Sequence, residues 1–164
     1  MEELNQNKTD GAASTLKKGG AAGFGKQPGL LKYDVRVLLA LEKAIGGSKD
    51  FFGWLIEAGY PELAAFSNFL QDDGEAEKWL FMNKYHWLGL LSHAIDGEDV
   101  PRRWIQKNLH LANLMFAQAC RGDDAAISWL KLAKLEILLR LANEVADLRS
   151  KQELDKSFPY KLRF

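Results

Sequence analysis

A tryptophan followed by a large aliphatic residue returns at a constant step of 25: Trp54-Leu55, Trp79-Leu80, Trp104-Ile105 and Trp129-Leu130. Other columns keep the same register, among them Leu41, Phe66, Leu91 and Phe116, and Ile45, Leu70, Ile95 and Cys120. Gly47, Gly97 and Gly122 form a further column, with Asp72 in the remaining slot. Self-similarity at such a period constrains a chain to a stack of like supersecondary units. Each unit reads as two short helices. Phe51, Trp54, Leu55 and Ala58 stand at i, i+3, i+4 and i+7, the apolar stripe of one helix, and Leu63, Phe66 and Leu70 make the next. Gly59-Tyr60-Pro61 separates them, because glycine accepts a left-handed cap and proline opens a helix without losing a hydrogen bond. The expected fold class is therefore all-α: a short α-solenoid of antiparallel helix pairs with a 25-residue period, about eight or nine helices in all.

Three regions follow from this reading. Residues 1–27 are Gly, Ala, Lys and polar residues with almost no large apolar side chain, so they read as a disordered tail. Residues 28–148 form the helical-repeat domain, opened by Pro28 and a helix from Leu30 to Ile45. Residues 149–164 form a C-terminal tail with an aromatic end, Phe158 to Phe164, which either packs back over the last helix pair or serves as a docking peptide. The fourth unit has no breaker between Lys131 and Leu148, so its two helices are expected to fuse. Between units, Ser48, Asp72, Asp73, Asp96, Asp99 and Asp123 read as caps for the free N–H groups of the following helix.

Formal net charge is zero, which gives no global argument for nucleic acid or a membrane surface. Residues 33–148 carry 12 Lys/Arg against 17 Asp/Glu, so an acidic body lies between mildly basic ends. The single cysteine, Cys120, excludes an intrachain disulfide and occupies a column of Ile and Leu, where a small buried hydrophobe fits. No apolar run reaches the ~20 residues that cross a bilayer, and no signal-peptide core is present. A cytoplasmic location is the expectation, with no membrane partner.

Ala58-Gly59-Tyr60 followed by Leu63 and Phe66 resembles the turn and second helix of an ankyrin repeat. Over residues 30–147 the pattern is similar to an ankyrin stack without its protruding hairpins and without the Thr-Pro-Leu-His opening. The resemblance implies a solenoid that recognises another macromolecule, and it implies no catalytic residue.

Candidate chemistry is sparse. Gly20 to Lys26 has the spacing of a phosphate-binding loop, but Gln27 stands where its Ser or Thr belongs and no strand precedes it. His86 and His93 are seven apart rather than at i, i+4, so neither a metal site nor a cofactor is expected. A pocket among His86, His93 and Asp96 is the only enzymatic reading, and the expectation is a non-enzyme. The Trp column has two readings: core packing against the neighbouring pair, or an aromatic groove. Phe52, Ile56, Phe81 and Met82 lie on the first helix of their pairs outside the regular stripe, and together they form the expected face for binding another protein. The alternative is nucleic-acid or polyanion binding through a basic strip of Lys78, Arg102, Arg103, Lys107 and Lys131, helped by the basic ends.

Overall fold

The columns of the repeat become two kinds of turn. The computed structural model describes residues 25–157, which hold nine α-helices: α1 (Val35–Ile45), α2 (Lys49–Glu57), α3 (Pro61–Leu70), α4 (Gly74–Met82), α5 (His86–Ile95), α6 (Asp99–Asn108), α7 (Leu111–Cys120), α8 (Asp124–Leu132) and α9 (Glu136–Ser157). After α1, α3, α5 and α7 the chain reverses through Gly47, Asp72, Gly97 and Gly122, whose φ angles of 101°, 67°, 84° and 82° are left-handed. The next residue in each case donates its N–H to a carbonyl of the finished helix, at 3.0–3.2 Å. That closes off carbonyls which would otherwise lack partners. Ser48, Asp73 and Asp123 then cap the following helix with a side-chain oxygen, as Asp34 does for α1. Glu98 makes no such cap.

Inside the pairs, Gly59, Lys84 and Lys134 take left-handed φ angles of 93°, 67° and 58°. The N–H groups of Tyr60, Tyr85 and Leu135 reach back to Leu55, Leu80 and Leu130. Lys134 thereby breaks the fourth pair, and the fusion expected between its helices does not occur. Neither Gly nor Pro marks that turn; a lysine accepts a strain of about 1–2 kcal/mol there. The third pair differs, since Leu109 is extended rather than left-handed.

Five helices line the inside. α1, α3, α5, α7 and α9 each pack on the next, and α9 packs back on α1. Arg140 of α9 holds Glu42 of α1 through Nε at 3.1 Å and Nη2 at 3.2 Å across this seam. The pairs therefore close into a ring. α2, α4, α6 and α8 lie outside, each against the two inner helices that flank it. Burial follows position: α7 buries seven of its residues, from Ala112 to Cys120, whereas α2 buries Leu55 alone. Leu41, Phe66, Leu91, Phe116 and Leu141 fill the ring, and Ser67, Ser92, Ala117 and Ala142 let neighbouring inner helices come close.

The outer helices bury the aliphatic partner of each tryptophan rather than the indole. Leu55, Leu80, Ile105 and Leu130 are fully buried, while Trp54 and Trp79 remain 43% and 36% exposed. Those two indoles stack on Tyr60 and Tyr85 of their own pairs, with ring centroids 6.5 and 5.9 Å apart. The Trp column thus divides: Trp54 and Trp79 stay largely outside the core, while Trp104 and Trp129 are half-buried and pack against it. An indole is too large for the narrow outer stripe, and stacking leaves one face in water.

The N-terminal helix starts later than expected. Gly29–Lys32 form a 3₁₀ turn, Tyr33 is extended, and α1 begins at Val35. At the other end α9 continues past Leu148 to Ser157. Residues Gly20–Phe24 and the aromatic end Phe158–Phe164 lie outside the described residues. No helix among those described is long and apolar enough to cross a membrane.

Candidate functional site

The residues expected to bind a partner divide between surface and support. Met82 is 83% exposed, Ile56 49% and Phe81 43%, while Phe52 is half-buried against the core. Phe81 is also anchored. Its Cε2 lies 2.6 Å from where a Cβ on Gly89 of α5 would stand, so the ring fills a notch that only glycine leaves open. Phe51, Trp54 and Trp79 extend the exposed apolar surface of α2 and α4.

The basic strip is interleaved with acids. Lys78 lies 3.2 Å from Glu75, and Asp99 sits 2.9 Å from Arg102 and 3.6 Å from Arg103. Lys107 and Lys131 are exposed. Such surface pairs are worth at most about 1 kcal/mol each, but they lower the net positive field of the strip.

A built pocket lies at the end of the ring where the inner helices begin. Its outer wall is a strap, residues 25–32, tied to the turn between α6 and α7. Gln27 N–H donates to the Asn108 carbonyl and His110 N–H donates to the Gln27 carbonyl, both at 2.8 Å. Asn113, fully buried on α7, accepts from Leu30 N–H through Oδ1 and donates to the Pro28 carbonyl through Nδ2, both at 2.9 Å. Gly29 lies so close to Asn113, at φ 62°, that any side chain there would collide with it. Beyond the strap, Tyr33 donates its hydroxyl to Oε1 of buried Glu62 at 2.9 Å and meets Tyr60 edge-on. Burial, then the Glu62 charge, pushes the Tyr33 hydroxyl far above its usual range. Between strap and helices remains a cavity of about 760 Å³, walled by Trp87, Trp104, His86, Leu31, Leu109 and Lys32 among others. Lys32 Nζ lies 5.0 Å from the Tyr33 ring and 5.6 Å from that of Trp87, and His86 meets Trp104 edge-on.

The opposite end carries different groups. Arg149 of α9 donates to the Leu70 carbonyl and pairs with Asp96, each at 3.0 Å, and Gln152 donates to the same carbonyl. Arg121 reaches the Ile95 carbonyl. Burial raises the Asp96 carboxyl above its usual range against the pull of Arg149 and His93. Burial also drives the Cys120 thiol far upward, so Cys120 is an inert wall residue.

The three histidines do not converge. His86 lies at one end of α5 in the strap-side pocket, while His93 sits toward the other end between Glu77 and Glu98, each 2.8 Å from a ring nitrogen. His110 caps α7 by accepting from Ala112 N–H. Among the described residues no group of three or more His, Cys, Asp or Glu is placed to hold a metal ion.

Sequence reasoning missed Asn113, although a signal was present: it breaks a column otherwise filled by Leu38, Leu63, Leu88 and Leu138. Glu62 and Arg149 left no comparable mark. No protein-family model, no curated protein and no solved structure matches the chain.

Proposed function

We propose that this chain is a non-enzymatic interaction module that docks an apolar segment of another protein on the outer face of α2 and α4. One observation carries this reading: Ile56 and Met82, which no core requirement places outward, stand exposed on helices already rich in exposed rings. Exposed apolar surface on this scale marks contact sites in soluble proteins. The ankyrin-like resemblance supports the same reading. The test is affinity purification from the native cell with the wild-type chain and with Ile56→Asp and Met82→Asp. A partner held by the wild type should be lost about tenfold or more by each variant, the scale of an interface hot spot. Phe81→Asp is the poorer probe, because Phe81 also packs on Gly89. Undiminished capture by both variants would exclude this face.

A further inference from the structure

We propose that the cavity between the strap and α5–α6 binds a small planar aromatic anion. Its volume of about 760 Å³ falls in the range of small-molecule sites. The lining sets the ligand's chemistry. Two indoles, Trp87 and Trp104, offer flat apolar walls on which an aromatic ring stacks. Among the described residues no Asp or Glu lines the cavity, while Lys32, His86, Gln27 and Asn108 do. Lys32 has no carboxylate within 4.0 Å among the described residues, so its charge is free to meet an acid. A cationic ligand is disfavoured, because Lys32 already brings a positive charge to the lining beside the Tyr33 and Trp87 rings.

The walls are set before any ligand arrives. Four hydrogen bonds with Asn108, His110 and Asn113 fix the strap, and Gly29 lets it lie close against Asn113. A pre-formed wall spares the ligand the cost of ordering it. The larger cavity at the opposite end lacks this character, since Asp96 and Glu153 share its lining with Arg121 and Arg149. Among the described residues it has no stacking wall and no unbalanced charge.

The test uses the full chain and two matched pairs of probes: 2-naphthoate against 2-naphthamide, and AMP against adenosine, by titration calorimetry. At least one anion should bind saturably, with its neutral counterpart about tenfold weaker, as loss of a charge-assisted contact requires. Lys32→Gln should erase that difference, and Trp104→Leu should abolish binding while the helical circular dichroism stays unchanged. In NMR spectra the indole N–H signals of Trp87 and Trp104 should move, and those of Trp54 and Trp79 should not. Lys32 is exposed, so its variant should fold. Equal affinity for anion and neutral probe, indifference to Lys32→Gln, shifts at Trp54 or Trp79, or no saturable binding of either anion at millimolar concentration would each overturn the proposal.

Discussion

Where the inner helices begin, closure comes from a strap, an asparagine and a crown of aromatic rings; where they end, it comes from arginines. All five inner helices run the same way, as the pairings of Tyr33 with Glu62 at one end and Arg149 with Leu70 and Asp96 at the other require. Every helix therefore presents free N–H groups at one mouth of the ring and free carbonyls at the other. Cationic donors suit the carbonyl mouth, where Arg149 and Arg121 take up Leu70 and Ile95 and oppose the negative ends of the helices, with the neutral amide of Gln152 as a further donor to Leu70. At the amino mouth acceptors and apolar mass are needed: the Gln27 carbonyl takes the His110 N–H, and the rings of Tyr33 and Tyr60 add apolar mass. The polarity of a parallel ring thus dictates different chemistry at its two ends, and the ligand pocket belongs to the apolar one.

Four experiments bear on this contrast. The largest effect is expected at the amino mouth. Asn113→Ala strands Leu30 N–H and the Pro28 carbonyl, and should cost about 2–4 kcal/mol in urea unfolding; a negligible loss would make the strap a passive tail. Arg149→Met at the carbonyl mouth should cost less, about 1–3 kcal/mol, because part of that site is wet. The same variant should raise the Asp96 carboxyl further, since Arg149 opposes the effect of burial there, and NMR titration of Asp96 would show it. Lys84→Gly and Lys134→Gly relieve left-handed strain in the turns beside the amino mouth and should each add about 0.5–1 kcal/mol; a loss instead would mean those lysines make contacts that matter.

The smallest effect belongs to His93. Burial would lower its pKa, but the hydrogen bonds and charges of Glu77 and Glu98 outweigh burial and raise it above 6.5. Both ring nitrogens face carboxylate oxygens at 2.8 Å, which only the doubly protonated ring satisfies. A raised folded pKa adds stability that is complete below the unfolded value and is lost as pH climbs through the folded one. Unfolding free energy should therefore fall from about pH 6 upward by less than about 1 kcal/mol, given solvent screening. His93→Gln should flatten that slope, and an unchanged slope would place the titration elsewhere.

Much of the helix architecture was legible because it depends on local spacing. The column of Gly47, Asp72, Gly97 and Gly122 announced four reversals, and all four are left-handed. Leu41, Phe66, Leu91 and Phe116 announced the inner wall, and all are fully buried. The break at Lys134 was hidden, because nothing in a lysine advertises a positive φ. Trp54 and Trp79 misled for a related reason: periodicity places a residue on a face but not at a depth, and Leu55 took the depth that Trp54 was assigned. The outer-face residues Ile56, Phe81 and Met82 were legible as off-stripe, whereas the notch at Gly89 that seats Phe81 was not.

The amino-acid order by itself determined the all-α class, the 25-residue step and the turns between pairs, since each follows from local contacts. Closure of the ring, the clamp of Asn113 on the strap and the charge sign of the pocket were decided only in three dimensions. They join residues as far apart as Glu42 and Arg140, or Leu30 and Asn113, and pairing at that separation leaves no period in the sequence.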